Sequence, residues 1–571
     1  MIALARRTLT ALVLLAPTAA ALRAQSAPAD IVFRGGTVWT ADSAHPRARA
    51  VAVAKGRIAY VGTDEGATAY IGPKTMVIDL RGRMLLPGIE DSHLHPATGG
   101  VWLASCLLTA DTTRAMVIAH VARCGRETPG TGWIRGRGWA LPLFPQANPT
   151  RQLLDSLVPD RPVYLRSADG HGAWVNSKAL ALAHIIAATP DPPRGRIERD
   201  ASGAPSGTLR ESAEDLVTAV MPPRTVEEFM EGLRRTMALA NSLGITTLTE
   251  ADGDSVMLEA YLALDRAGAL TVRVLAAQTT DPAAGPAQVA RLAALRTRFT
   301  GKRFRATSAK IDADGVIESH TSYLLEPYLD THDRGPSNLT PAAMDSLVIA
   351  LDRAGFQVHI HAIGDGAVRI SLDGFAAARA ANGVRDSRHQ IAHLEMIDTL
   401  DVPRFAQLGV LANFQSLWAL RDSYIRDLTE PILGPERSAR LYPLASVAGR
   451  GGMLVGGSDW IVSSMNPYEA MQVAITRRDP FDGPGAPWIP KELVSLEQIL
   501  TAYTINGAHA NFQETETGSI EKGKAADLVL LDRDLFAIAP TEIHAARVLL
   551  TLLDGAPVYG DLKHVAGAAS H

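Results

Sequence analysis

Cysteine is almost missing from this chain: Cys106 and Cys124 are the only two in 571 residues. A scaffold stapled by many disulfides is therefore excluded. In an oxidising compartment a pair closing a short loop is open to a disulfide, with two reduced thiols as the alternative, and no histidine motif flanks either residue. Runs of basic residues are also missing, and the net charge is only -4, which excludes nucleic acid as an expected partner. Internal repeats and low-complexity segments are absent. Long apolar runs are scarce. The longest, from about Leu9 to Leu22 behind Arg6 and Arg7, is too short and alanine-rich for a membrane span and reads as a signal peptide over residues 1–24, with cleavage near Ala24-Gln25. An uncleaved anchor is the alternative. Export to a bacterial periplasm or beyond is expected, with no stable membrane span after cleavage.

What remains is ordinary globular composition, 47% hydrophobic and 20% charged, in a chain long enough for two or three domains. Residues 25–86 alternate short β-rich runs with turns such as Gly35-Gly36 and Lys55-Gly56, the punctuation of a small β-sandwich. Residues 97–225 are rich in Pro, Gly and Trp and read as an inserted α+β domain covering a substrate. Its candidate pocket residues are Trp139, His171, Trp174 and Asn176, with core packing the alternative for each tryptophan. From residue 226 to about 500 a strand–helix rhythm runs, with strands predicted at 245–250, 270–277, 304–311, 356–361, 389–393, 410–414 and 453–459, and a helix at 436–448. Counting the apolar Met84-Leu85-Leu86, read as one strand with the segment ending at His95, there are eight strands, each followed by helical sequence. The fold class is α/β, a (β/α)8 barrel built from 87–96 and 226–500. Residues 501–571, a helix and then strands, are expected to rejoin the amino-terminal β domain.

The chemistry starts at Pro87-Gly88-Ile89-Glu90-Asp91-Ser92-His93-Leu94-His95-Pro96. Side chains two apart on a strand share a face, so His93 and His95 sit about 7 Å apart along the backbone and can bite one ion. Alone, His-x-His is weak. Barrel chemistry, however, gathers where strands end, and other ends carry Lys310, His359 and His361, His389 and His393, and Asp459. Parity and depth favour His361 over His359 and His393 over His389 as ligands. A divalent ion there polarises a carbonyl and brings the pKa of its water to about 7. Neutral imidazoles suit zinc, and Asp459 is placed to take the water's proton and pass it on. Lys310 is the odd member, and an ion pair with Asp312 or Asp314 is its simpler explanation. Asp314 is also taken as a substrate contact.

These motifs, with Gly136-Arg137-Gly138-Trp139, Lys310-Ile311-Asp312-Ala313-Asp314-Gly315, His361-Ala362-Ile363-Gly364-Asp365, Gly457-Ser458-Asp459-Trp460 and Gly523-Lys524-Ala525-Ala526-Asp527, resemble the amidohydrolase superfamily, most closely its formamide deformylase-like branch, over nearly everything after residue 30. The resemblance implies one or two zinc ions held by His93, His95, Lys310, His361, His393 and Asp459. It implies that Lys310 is open to carboxylation by carbon dioxide, which would turn it into an anionic bridge. It implies a small amide-type substrate, with His171 assisting at the carbonyl oxygen, and, because such barrels often pair, a homo-oligomer. Cleavage of a C–N bond is the expected activity. Ester or lactone cleavage and deamination stay open on the same ligands, as does, less favoured, a non-catalytic binding protein. One departure stands out: Val316-Ile317-Glu318 occupies a loop where small residues are usual in this branch.

Overall fold

The computed structural model describes residues 27–109 and 112–567; the expected signal peptide lies outside the described residues. Eight parallel strands form one sheet in strict chain order: Ile89–Leu94, Ile245–Gly253, Arg273–Thr279, Phe304–Asp312, Gln357–Ala362, Gln390–His393, Leu411–Phe414 and Leu454–Gly456. Each is followed by helix, among them Val226–Ser242, capped by Thr225 and Glu228, and Asp365–Asn382. The sheet curls until its two ends meet: Asp459 N donates to His93 O at 2.7 Å, and His95 N to Trp460 O at 2.7 Å. The result is the (β/α)8 barrel.

Two further sheets form the sandwich. Four strands run Arg57–Gly62, Ala50–Ala54, Ile31–Arg34, Met76–Asp79 in spatial order. Six run Ala556–Tyr559, Val548–Leu553, Leu528–Leu531, Met84–Pro87, Thr37–Trp39, Arg47–Ala48. Leu528–Leu531, from the far end of the chain, lies antiparallel on Met84–Pro87. Strand alternation explains why these segments read as unbroken apolar runs. Leu85, Leu528, Leu530 and Leu552 face Phe33, Val51 and Val53 inside the sandwich. Met84, Leu86, Val529 and Leu531 face the barrel's core.

The structure corrects three local readings. Met84-Leu85-Leu86 and the His-x-His segment belong to different sheets: Pro87 has no N–H to extend a ladder, and Gly88, where a Cβ would lie 2.0 Å from Thr246 Oγ1, carries the chain from sandwich to barrel. The helix expected over 436–448 is two short ones, Pro435–Ser438 and Leu444–Gly449, broken at Tyr442 (φ 51°) and Pro443. The last barrel strand is only Leu454–Gly456, because Ser458 and Asp459 turn to bond the first strand.

The insert is a mixed six-stranded sheet in the order Gly195–Arg199, Pro205–Glu211, Gly172–Val175, Val163–Ser167, Ile134–Trp139, Cys106–Leu107. Cys106 and Cys124 are joined by a disulfide, Cα to Cα 5.8 Å. Three expected pocket residues are structural here. Trp139 and Trp174 are fully buried in the insert's own core, their indole N–H groups donating to Leu165 O (2.9 Å) and Thr150 O (2.8 Å). Asn176 is equally buried: its Oδ1 caps the helix Ser177–Leu182 through Ala179 N, and its Nδ2 donates to Val158 O and Arg161 O. Alternation would put Arg137 and Trp139 on one face. A bulge at Gly138 (φ 104°) breaks the register between them, sending Arg137 to the cavity and Trp139 into the core. Trp139→Ala should therefore lower unfolding stability by about 3–5 kcal/mol, as large core truncations do, measured by denaturant titration; a residue merely lining an open cavity would cost far less.

Candidate metal centre

The barrel mouth opens into a cavity of about 1110 Å³, roofed by the inserted sheet and lined by His95, Lys310, His361, His393, Asp459 and His171 among others. At its floor, His93, His393 and Asp459 each offer a donor atom within 4.8 Å of the other two. His93 Nε2, His393 Nδ1 and Asp459 Oδ1 are buried with no hydrogen-bond partner among the described residues. Leaving three such atoms unmatched is costly unless something else binds them, so this donor set fits a metal ion. His95 Nε2 lies 3.2 Å, and His93 Nε2 3.5 Å, from Asp459 Oδ1. His361 flanks the group, its ring 4.4 Å from that of His393, with Nε2 on Gly315 O at 3.1 Å. Lys310 is buried, its Nζ 3.6 Å from Asp312 Oδ1.

Local backbone aims these groups. His393 (φ 78°) and Asp459 (φ 50°) lie in the left-handed region, rarely used by non-glycine residues and concentrated at functional sites. Burial first, then the Lys310 ammonium and neighbouring imidazoles, hold His93 and His359 far below the usual imidazole value. Burial and His361 do the same for His393, and burial and His171 bring His361 down to about 4. All are thus neutral at pH 7, the form that binds metal.

A supporting shell surrounds them, and much of it is not apparent from the sequence. His359, one layer deeper, meets His93 Nδ1 at 2.7 Å and so turns His93 Nε2 toward the cluster. His389 is deeper still, bonded to Asp352 and stacked on Phe375. Glu250, fully buried, accepts from Ala97 N (3.1 Å) and Tyr261 Oη (2.9 Å), while its other oxygen sits 3.8 Å from His95 Nδ1. Asp91 joins first and last strands by accepting from Ser458 N at 3.0 Å. Asp314 is committed inward: its oxygens accept from Ser322 Oγ and from the backbone of Tyr323, Ile363 and Gly364. It shapes the loop while lining the cavity beside His361.

His171 reaches the cavity from the insert, its ring 5.3 Å from that of His361. Its Nδ1 pairs with Glu211 Oε2 at 3.0 Å. Burial disfavours the charge, but Glu211 outweighs it and pushes His171 up to about 9, so it stands protonated at neutral pH. Arg137, 4% exposed, lines the same wall and donates to Ala168 O.

With Glu250 Oε1 lying 3.8 Å behind His95 Nδ1, Glu250→Gln should weaken metal binding by about 10–100-fold, read by chelator competition, with the fold retained by circular dichroism.

The amidohydrolase family profile matches residues 76–559. Protein LONG AFTER FAR-RED 3 of Arabidopsis thaliana is 31% identical, covering 93% of this chain and 92% of that protein. N-substituted formamide deformylase of Arthrobacter pascens is 30% identical, covering 92% and 97%. The crystal structure of an uncharacterized metal-dependent hydrolase from Pyrococcus furiosus superposes with a TM-score of 0.67 at 25% identity, covering 88% and 99%. With the barrel, the ligand cluster and this match over most of its length, the chain belongs to the amidohydrolase family and is a metal-dependent amidohydrolase.

Proposed function

We propose that the protein is an exported, zinc-dependent hydrolase that cleaves the C–N bond of an N-substituted amide or formamide-like group. The observation that carries this is the His93, His393 and Asp459 cluster, unmatched and buried on the floor of a large cavity. Likeness to N-substituted formamide deformylase favours an amide over the ester, lactone or deamination substrates that the same donors would serve. The imidazole-rich set suits zinc. Arg6, Arg7 and the apolar run after them support export.

When bound, the ion supplies Lewis acidity and a water nucleophile at neutral pH. Around it, the chain's own groups divide the work. The Asp459 carboxylate takes the proton of the attacking water and delivers it to the departing nitrogen. The His171 imidazolium, kept charged by Glu211, donates to the carbonyl oxygen as negative charge builds there. The insert excludes bulk water. His95 and His361 complete the ligand set, joined by Lys310 only in its carboxylated form. Carboxylation of Lys310 would replace a cation among imidazoles with an anion; the Asp312 contact supports the plain ammonium instead.

Metal per purified chain, in wild type and Lys310→Ala, decides between these forms. Two ions, falling in the variant, match a carboxylated bridge; one, unchanged, matches the ion pair. Hydrolysis of N-formyl and N-acyl amines should exceed that of matched esters and vanish on chelation. No bound metal, or esters alone cleaved, would overturn the reading. Because His171 is needed protonated, the rate should hold below its pKa and fall as pH rises through about 9. Glu211→Gln removes the partner that raises it, so that limb should move toward the ordinary imidazole value of about 6.5, measured as a pH–rate profile.

A further inference from the structure

One wall of the cavity carries carboxylates for which the metal cluster has no use. Glu318, Glu395 and Asp422 all line it, with Trp418, Tyr424 and Tyr442 between them. Glu395 is 4% exposed, and its Oε2 is buried with no hydrogen-bond partner. Glu318 Oε1 accepts from Thr429 Oγ1 at 2.7 Å. The strongest charges acting on Glu318 are Asp169 and Asp422, both acids. The part of the cavity around His171 differs. There Arg166 faces Glu214 at 3.4 Å and His171 faces Glu211 at 3.0 Å, each cation matched. Burial, with these acids nearby, pushes Glu318 up to about 7. Arg426 acts on Asp422, but among the described residues nothing bonds Glu395 Oε2.

The recess borders the reaction centre, since the Trp418 ring stacks on His393 at 5.4 Å. Its make-up selects the kind of cation. Calcium or magnesium asks for six or more oxygens, whereas aromatic faces interleaved with carboxylates suit an alkylammonium, through cation–π contact and charge-assisted hydrogen bonds. We infer that the recess of Glu318, Glu395, Asp422, Trp418, Tyr424 and Tyr442 binds a protonated amine or guanidine carried by the substrate, beside the bond to be cleaved. This rests on the hydrolase reading above and names its substrate class: amides with a cationic substituent.

The test uses the metal-loaded mature protein and three substrates of matched length: N-formyl-1,5-diaminopentane, N-formylhexylamine and N-formyl-6-aminohexanoate. The kcat/KM of the cationic substrate should exceed that of the neutral one by about tenfold or more, the scale of a hydrogen bond to a charged group, with the anionic one slowest. Glu318→Gln and Glu395→Gln should each bring the cationic-to-neutral ratio toward unity. Binding of pentyltrimethylammonium, which cannot ligate a metal, is followed by calorimetry and should weaken in both variants. Equal or reversed preference in wild type overturns the inference and leaves the hydrolase reading standing. Pentyltrimethylammonium binding that is lost in the variants while no amide is hydrolysed keeps the recess and overturns the hydrolase reading. Unchanged binding in both variants overturns the inference, whatever the rates.

Discussion

The seam where the first barrel strand meets the last is the constraint on which the site depends. Asp459 N bonds His93 O, His95 N bonds Trp460 O, and Ser458 N bonds the Asp91 carboxylate. These contacts join residues more than 360 positions apart in the chain, and they set the ligand atoms of both strands side by side. A regular ladder could not do this. The last strand stops at Gly456, and Gly457, where a Cβ would come within 2.8 Å of His93 Cβ, leaves room for close approach. Asp459 then swings inward in a left-handed conformation. Asp91, pushed up to about 7 by burial first, is held there by the backbone amides of Ser458 and His93.

The sandwich makes that seam affordable to a barrel whose first strand follows an extended amino-terminal domain. Its six-stranded sheet buries both faces, one against the smaller sheet and one against the barrel. Both ends of the described chain meet on it, through Leu528–Leu531 against Met84–Pro87. Arg273, on the third barrel strand, pairs with Asp527 and Asp554 of the sandwich, fixing barrel to base. The insert does the converse at the mouth. It packs around its own core and supplies much of the cavity lining, His171 and Arg137 included.

Features governed by local periodicity are legible in the sequence. Alternation puts His359 on the same face as His361, so depth is what separates them, and the structure puts the deeper member of each pair behind the site: His359 on His93, and His389, just ahead of its strand, on Asp352. The eight-fold strand–helix rhythm is local in the same sense. Legibility ends where a single residue changes register. The bulge at Gly138 reverses the expected face of Trp139 and brings forward Arg137, although both stand in the same short motif. Asn176 sits next to the cavity segment in sequence, yet its amide is consumed in capping a helix. Glu250 and Glu211 carry no motif at all. Their roles exist only because Glu250 faces His95 across two strands and Glu211 faces His171 across the insert, pairings that single-sequence periodicity does not encode.

The cavity therefore holds two electrostatic problems solved in opposite ways. On its floor, imidazoles are kept neutral by burial and by one another, so the cluster is ready for a metal without first losing protons. On the insert side, Glu211 reverses the same burial penalty at His171, and a charged donor survives a short distance from neutral ligands. These two states coexist because the balance differs: on the floor, burial acts together with the neighbouring imidazoles and Lys310, whereas at His171 the Glu211 carboxylate outweighs burial. On the function proposed above, acid and ligand roles fall to the same residue type according to burial and neighbours, and those neighbours come from two different domains, the barrel for the ligands and the insert for the donor.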